Sequence, residues 1–222
     1  MSTGHRERIR ERYKKEGLDN FQPHEVLELL LTYAIPRKDT KAMAHALIDR
    51  FGSLANVFEA RQEEICKVDG IGERAAGLLK LVIDVNRQYL LSRFGKAVVL
   101  DSVEKLAEYA RSLEFGRPYE TLFLICLSVK KKVVGTFMME EGTLSNAAFH
   151  VQKLIERAMG AKAYSVAVVH NHPGGVPEPS EQDIRATYTL VSALKAVGIG
   201  FEDHVIVGDA GEWVSMRQGK YI

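Results

Sequence analysis

The stretch AYSVAVVHNHPGGVPEPSEQD, residues 163–183, predicts a buried strand, a stiff loop and the start of a helix. Its nearly unbroken apolar run up to His170 is typical of a strand that is covered on both faces. Three prolines stiffen the loop, and two adjacent glycines allow it to turn. Ser180 with Asp183 three residues later has the form of a helix capping pair. A strand, loop and helix in this order predict a mixed α/β domain.

The same stretch contains three side chains that can bind a metal ion. His170 and His172 are two residues apart at a strand end, so their imidazoles point to the same side. Asp183 lies on the first helical turn, where its carboxylate is aimed back toward the loop. Two histidines and one aspartate would bind one Zn²⁺ per chain and leave a fourth position for water, as catalytic zinc sites require.

Each of these residues also has a simpler interpretation. Ser180 and Asp183 could serve only as a helix cap, and a histidine at a strand end is often an ordinary hydrogen-bonded residue. Their conjunction within fourteen residues favours a metal site. The letters HNH also name an endonuclease class, but its residues are spread over a ββα unit that this sequence lacks. A zinc deaminase is excluded because P-C-x-x-C does not occur, and the H-x-E at residues 5–7 stands alone.

The segments around this stretch complete an α/β domain over residues 95–222. Asp101 or Ser102 can cap a helix, and the sequence predicts strands, helices and a closing hairpin after it. The predicted elements are strands at 121–129 and 131–140, strand or loop at 141–145, helices at 150–160 and 184–198, and a hairpin of 201–208 with 212–217.

Residues 1–94 predict a small all-helical domain. The helical segments begin at residue 5, Pro23, Asp39 or Thr40, Ser53 and residue 61, and a long helix follows the turn VDGIG at residues 68–72. This turn is similar to the hairpin of helix-hairpin-helix modules, which hold the DNA backbone. Gly70, Gly72, Lys67 and Arg74 are therefore candidate DNA contacts. A plain packing corner, with glycine needed only for the turn, is an equally strong alternative.

Composition limits the class of protein. With 222 residues and a net charge of +1, the chain is long enough for two small domains, and its bulk charge does not indicate a nucleic-acid binder. No apolar run is long enough to span a membrane, and the first residues contain no apolar signal core. Cys66 and Cys126 lie far apart outside any motif, which predicts free thiols and a cytoplasmic protein.

The spacing His170-x-His172, seven residues, Ser180, two residues, Asp183 resembles the JAMM/MPN metalloprotease motif. The form HNHP, with DHVIVG at 203–208 and SMRQG at 215–219, resembles the RadC family, and the helical first part with its VDGIG turn is similar to the RadC N-terminal region. The chain departs from the JAMM motif at Asn171, where that motif has Ser or Thr. It departs from RadC sequences at Gly174, where serine is usual; we expect this change to alter loop mobility and not metal binding.

The resemblance implies a zinc-dependent hydrolase that cleaves a peptide or isopeptide bond. The JAMM family has a glutamate that opens the first strand, and Glu120 holds that place as the general base, with Glu140 and Glu141 as alternatives. Ser180 would stabilise an oxyanion or orient the attacking water. Asp203 and His204 are candidates for hydrogen bonds that support the site.

Two other functions remain open at this point. One is a non-catalytic DNA-binding accessory factor with a structural metal, and the other is a zinc-dependent phosphodiesterase. A role in DNA repair is implied only by the RadC name. The oligomeric state stays unknown.

Overall fold

The computed structural model describes residues 3–95, 97–141, 151–209 and 211–222. The chain forms two compact units, Met1–Asn86 and Arg87–Ile222. The division falls inside one long helix, whereas the sequence placed the boundary at residue 94, just after that helix ends. Among the described residues, no helix has both the length and the apolar character needed to cross a membrane.

The described part of the first unit consists of helices joined by turns. Its helices are α1 Thr3–Glu16, α2 Pro23–Ala34, α3 Lys41–Phe51, α4 Leu54–Glu59, α5 Gln62–Ile65 and α6 Glu73–Ser92, the last of which continues into the second unit. Local chemistry sets several starts: the Ser53 hydroxyl accepts a hydrogen bond from the Asn56 N–H, and the Asp39 carboxylate accepts one from the Lys41 N–H. Fully buried leucines of α2, α3 and α6 form the core.

The turn between α5 and α6 contains the glycines of the predicted hairpin. Gly70 has a φ of 79°, a left-handed conformation that side chains rarely adopt. A Cβ atom added to Gly70 would lie 2.5 Å from the methyl carbon of Met43 on α3. The backbone conformation therefore explains this glycine, because the Met43 methyl group is the end of a flexible side chain that could move. Gly72 is exposed, and no other atom approaches the place where its Cβ would be.

The second unit is a mixed α/β domain, as the sequence predicted. The described residues form a five-stranded sheet of order β2-β1-β3-β4-β5, in which β3 and β4 are parallel and the other neighbouring strands are antiparallel. Beyond residue 141 the predicted strand or loop lies outside the described residues, as does the predicted helix start at residue 150. The elements are α7 Val103–Glu114, β1 Thr121–Leu127, β2 Val133–Glu141, α8 Val151–Gly160, β3 Ser165–Asn171, α9 Glu181–Ala196, β4 Gly200–Val207 and β5 Trp213–Ser215.

Helices cover both faces of this sheet, which explains the unbroken apolar runs of β1 and β3. Alternate residues such as Phe123 and Val169 pack on one side with α7. Their neighbours, such as Leu122 and Val168, pack on the other side with α8 and α9. Every residue of β1 and β3 is buried as a result.

The connection from β3 to β4 positions the site. Because β3 and β4 are parallel, the chain must cross the sheet through α9 to return. The start of α9 therefore lies at the end where β3 finishes, and ligands of α/β sheets bind at such carboxyl ends. The two cysteines are free thiols; Cys126 is buried in β1 and Cys66 is half-buried.

Candidate metal centre

His170, His172 and Asp183 come together at the carboxyl end of β3. Their potential ligand atoms all lie within 4.8 Å of one another, and they form a group that could hold a metal ion. The Nε2 atoms of the two histidines are 2.9 Å apart. The Asp183 carboxylate lies 3.5 Å from Nε2 of His170 and 3.8 Å from Nε2 of His172. The three predicted metal ligands thus occupy one site.

Hydrogen bonds fix which nitrogen of each imidazole is protonated. Nδ1 of His172 lies 3.1 Å from the carbonyl oxygen of Val176, which can only accept, so Nδ1 carries the hydrogen. The protonation of His170 follows from its neighbours Thr187 and His204. The Thr187 hydroxyl donates to the Asp183 carbonyl at 2.6 Å. The Thr187 oxygen can then accept from Nδ1 of His204 at 2.7 Å, which leaves Nε2 of His204 as an acceptor.

That acceptor faces Nδ1 of His170 at 2.6 Å, so Nδ1 of His170 donates to it. Both His170 and His172 therefore present Nε2 as a lone pair, and these two lone pairs face each other at 2.9 Å. Such an arrangement is repulsive unless a cation or proton lies between the nitrogens. The donor set, two neutral imidazoles and a carboxylate, fits a bound divalent metal.

Burial keeps the imidazoles of His170 and His204 neutral. Loss of solvent lowers the pKa of His170 far below its usual value, and the Asp183 carboxylate only partly opposes the shift. Burial likewise lowers the pKa of His204, and the neighbouring histidines add to the effect. Because the neutral imidazole is the form that binds a metal, ligation by His170 needs no proton release near neutral pH.

The start of α9 orients the third ligand. Oδ2 of Asp183 accepts hydrogen bonds from the Ser180 backbone N–H at 2.8 Å and from the Ser180 hydroxyl at 2.6 Å. The Asp183 N–H in turn lies 3.2 Å from the Ser180 oxygen, which completes the capping box. Oδ1 is left directed at His170. Ser180 is thus an orienting residue for Asp183, and its predicted role toward an oxyanion stays a prediction.

One side of the cluster is open to solvent. The His170 side chain is fully buried, whereas 21% of the His172 side chain is exposed. The loop that borders this opening is tied down, because the Gly174 N–H donates to the Asp209 carboxylate at 2.6 Å. Gly174 has a φ of 77°, so glycine fits this loop conformation better than the serine usual in RadC sequences.

Glu120 directly precedes β1, the antiparallel neighbour of the strand that carries His170. Leu122 of β1 pairs with His170 of β3, and both side chains belong to the face covered by α9. This is the last pair of the two strands; half-buried Glu120 lies two residues before Leu122, and His172 lies two residues after His170. Glu140 pairs with Leu122 from the far side of β1, so two strand spacings, about 9.6 Å, separate its backbone from His170. The register favours Glu120 over Glu140 as the general base.

Asn171, the residue between the two histidines, holds the chain on both sides of Glu120. Its side-chain oxygen accepts a hydrogen bond from the Thr121 N–H at 2.7 Å. Its side-chain NH₂ donates to the Tyr119 carbonyl at 3.0 Å. Two hydrogen bonds to the residues that flank Glu120 fix its backbone relative to the strand that carries His170. The sequence showed Asn171 only as a departure from the JAMM motif.

Behind Asn171 lies a buried carboxyl group. The Thr121 hydroxyl forms hydrogen bonds with both Glu114 and Asn171, although it has only one hydrogen to donate. Burial raises the pKa of Glu114 to about 8, while Thr121 and Arg117 oppose the shift. Near neutral pH, Glu114 is therefore mostly protonated and can donate to Thr121, which leaves the Thr121 hydrogen for Asn171.

His204 and Thr187 were not among the predicted site residues, although the sequence marked Asp203 and His204 for supporting hydrogen bonds. Asp203 and His204 take different roles. His204 contacts the candidate ligand His170 directly, whereas the Asp203 carboxylate accepts hydrogen bonds from the Ser215 hydroxyl and the Arg217 N–H. Asp203 therefore joins the segments DHVIVG and SMRQG. Only the parallel register of β3 and β4 brings His204 to the site.

Comparison with known protein families agrees with this geometry. Residues 100–221 match the RadC-like JAB domain, which covers more than half of the chain. The chain belongs to the RadC family. Residues 2–77 match a second family description, UPF0758 N-terminal, which covers most of the helical unit of this RadC protein. The predicted family and the two-part architecture of helices followed by a mixed sheet are confirmed.

The four candidate DNA contacts of the helical unit lie in different surroundings. Lys67 forms an exposed ion pair with Glu64. Gly70 is explained by its left-handed backbone conformation, and Gly72 has no close neighbour. Arg74, on the first turn of α6, lines a pocket together with three further arginines. DNA contact by these residues stays a prediction.

Proposed function

We propose that this RadC-family protein is a zinc-dependent hydrolase of the metallopeptidase or isopeptidase type. One observation carries the proposal: the Nε2 lone pairs of His170 and His172 and the Oδ1 atom of Asp183 converge beside a solvent-exposed opening. This is the donor set of a catalytic zinc site, in which three protein ligands leave one position for water or substrate. Zn²⁺, one per chain, is the proposed cofactor.

The residues around the ligands supply the remaining chemistry. When bound, the ion would act as a Lewis acid toward the carbonyl group of the substrate. Glu120 would accept a proton from the attacking water and deliver it to the leaving amine, which requires only that its carboxylate reach both atoms in turn. Ser180 would act by keeping Asp183 directed at the site, and its hydroxyl could also donate to an oxyanion if it turned away from Asp183.

The alternatives have weaker support. In the described ranges the metal-binding group consists of three ligands, and a purely structural zinc site usually closes its fourth position with another protein ligand. A phosphodiesterase often uses two ions, and the described residues offer one such group. A DNA-repair role rests on the family name alone, and a cytoplasmic location rests on the free cysteines.

Removal of the metal tests the proposed function. The purified protein, loaded with one equivalent of Zn²⁺, is incubated with quenched-fluorescent peptides, isopeptide-linked conjugates and a chromogenic phosphodiester. We expect amide cleavage that stops on chelation and returns when zinc is added back. Cleavage of the phosphodiester alone would favour the second enzyme class. Tight zinc binding without cleavage of any substrate in this set would favour the non-catalytic accessory factor.

A second prediction concerns Asn171 and rests on the role proposed for Glu120. Replacing Asn171 with Ala removes both hydrogen bonds that flank Glu120. We expect kcat to fall about tenfold to 100-fold, because small displacements of a catalytic group have effects of this size. Zinc content should stay at one per chain, since Asn171 offers no ligand atom to the metal.

The Asn171→Ala variant also distinguishes an effect on the position of Glu120 from an effect on the stability of the fold. Thermal unfolding of Asn171→Ala would show how far the lost hydrogen bonds weaken the fold, and the kcat measurement is made well below that transition. Asn171→Asp keeps the acceptor for Thr121 but loses the donor to Tyr119, so an intermediate kcat is expected. A wild-type kcat in both variants would show that Asn171 does not position the general base.

A further inference from the structure

The helical unit contains a pocket whose lining is strongly basic. The pocket has a volume of about 510 Å³, and its lining among the described residues is Arg6, Arg10, Arg37, Arg74, Thr32, Tyr33 and Pro36. We call it the arginine pocket. Residues 1–86 carry 14 Lys and Arg and 14 Asp and Glu, so the unit as a whole is neutral. The charge of the arginine pocket is therefore a local concentration with no carboxylate in its described lining.

Two of the four arginines are fixed in place by the last turn of α2. Arg6 donates to the carbonyl oxygens of Thr32 and Ile35 at 2.6 and 2.8 Å, and also to that of Lys38 at 2.9 Å. Arg10 donates to the carbonyl and hydroxyl oxygens of Thr32 at 3.0 and 3.2 Å. These bonds satisfy helix-end carbonyls, and they hold two guanidinium groups in one geometry before any ligand arrives.

The other two arginines have no such structural role. Arg37 and Arg74 are exposed, and within the described part of the chain neither side chain forms a hydrogen bond or ion pair. Arg37 also adopts a φ of 66°, a conformation in which glycine is favoured and arginine is strained. The backbone at this position thus gives no reason for an arginine. Two positive charges are available to an anion at the arginine pocket.

An exposed aromatic ring adds a second kind of contact. Tyr33 is 59% exposed on the pocket lining, and the Arg10 guanidinium lies 5.0 Å from the centre of its ring. Exposed aromatic rings among cationic side chains are typical of surfaces that bind single-stranded nucleic acid, where bases stack and phosphates pair with cations. A free phosphate or a purely acidic ligand would make no use of Tyr33.

We propose that the arginine pocket binds single-stranded nucleic acid, with a phosphate held by Arg37 and Arg74 and a base stacked on Tyr33. The contact is made by guanidinium groups on α1, on the segment after α2 and on α6, and not by the backbone amides of the Val68–Gly72 turn. The proposal is independent of the zinc site, and its test requires no hydrolytic activity.

Fluorescence anisotropy of the full-length protein with a labelled oligothymidine and a labelled duplex, over a range of salt concentrations, tests the proposal. Arg37→Gly suits the backbone conformation of that position and should not destabilise the fold, and Arg74→Gln removes the second free charge. We expect each variant to weaken binding of the single strand about tenfold and to reduce the slope of log Kd against log salt by about one. Tyr33→Ala should weaken binding of the single strand more than that of the duplex.

Arg8→Gln is the matched control, because it removes the same charge from the exposed surface of α1 outside the arginine pocket. Binding within about twofold of wild type is expected for this variant. Three results would overturn the proposal: no binding of the single strand at low salt, equal weakening by Arg8→Gln and Arg74→Gln, or weakening by Lys67→Gln at the turn with none at Arg37. Preference for the duplex with no effect of Tyr33→Ala would also overturn it.

Discussion

Glu120→Gln should retain zinc and lower kcat by about 10²- to 10⁴-fold, the range typical for loss of a general acid or base. Glutamine has nearly the same size and can keep hydrogen bonds to neighbours, but it cannot take a proton from water. Leu122 and His170 form the last pair of β1 and β3, and Glu120 and His172 each lie two residues beyond that pair. The measurement is kcat for the best substrate found, beside zinc content and thermal unfolding of the same preparation.

Glu140→Gln is the control for this prediction. Glu140 is also half-buried, lies at the same end of the sheet and was the alternative base, but it is one strand further from the ligands. We expect its kcat to stay within about threefold of wild type, because a base must come within hydrogen-bond reach of the proton it takes. If Glu140→Gln abolishes turnover and Glu120→Gln does not, the assignment of the base is wrong.

Changes at the ligands should remove the metal. His172→Ala removes one of the two Nε2 lone pairs. The His172 side chain is partly exposed, so its removal leaves no enclosed cavity. Asp183→Asn keeps a side-chain oxygen for the capping bonds from Ser180 but removes the negative charge. We expect zinc affinity to fall at least about 100-fold in both variants, beyond the roughly tenfold to 100-fold typical of changes to the partners of ligands. Elemental analysis and competition with a chromogenic chelator measure this.

His204→Gln provides the comparison within the same experiment. His204 offers its nitrogen to Nδ1 of His170 and contributes no atom to the proposed metal, so its loss should weaken zinc binding by a smaller factor. Wild-type zinc affinity in His172→Ala or Asp183→Asn would show that these residues do not hold the ion. In that event Ser180 and Asp183 would remain only as the helix cap.

The sequence predicted those parts of the site that are local in the chain. His170, His172 and Asp183 lie within fourteen residues, and the strand, loop and helix that carry them follow from apolar periodicity, loop prolines and a capping pair. The capping serines at 53, 102 and 180 were found for the same reason, since each bonds an N–H three residues on. The RadC family and the mixed α/β class followed from these local patterns.

Contacts between distant segments could not be predicted in this way. The hydrogen bond from the Thr121 N–H to Asn171 joins residues 50 apart, and that between His170 and His204 joins residues 34 apart. Both depend on strand order and register, which apolar strands of similar composition leave undetermined. The arginine pocket has the same origin, because Arg6, Arg37 and Arg74 come from three separate segments.

The buried Glu114 makes folding of the second unit a reaction that takes up a proton. In the folded protein burial raises the pKa of this carboxyl to about 8, against an ordinary value of 4.5. Between these two values the folded state binds more protons than the unfolded state, so its stability decreases as pH rises. The contribution is fully present below pH 4.5 and is lost by about pH 8. A rise in pH from 4.5 to about 8 therefore weakens this unit, through the residue that supports Thr121 and Asn171.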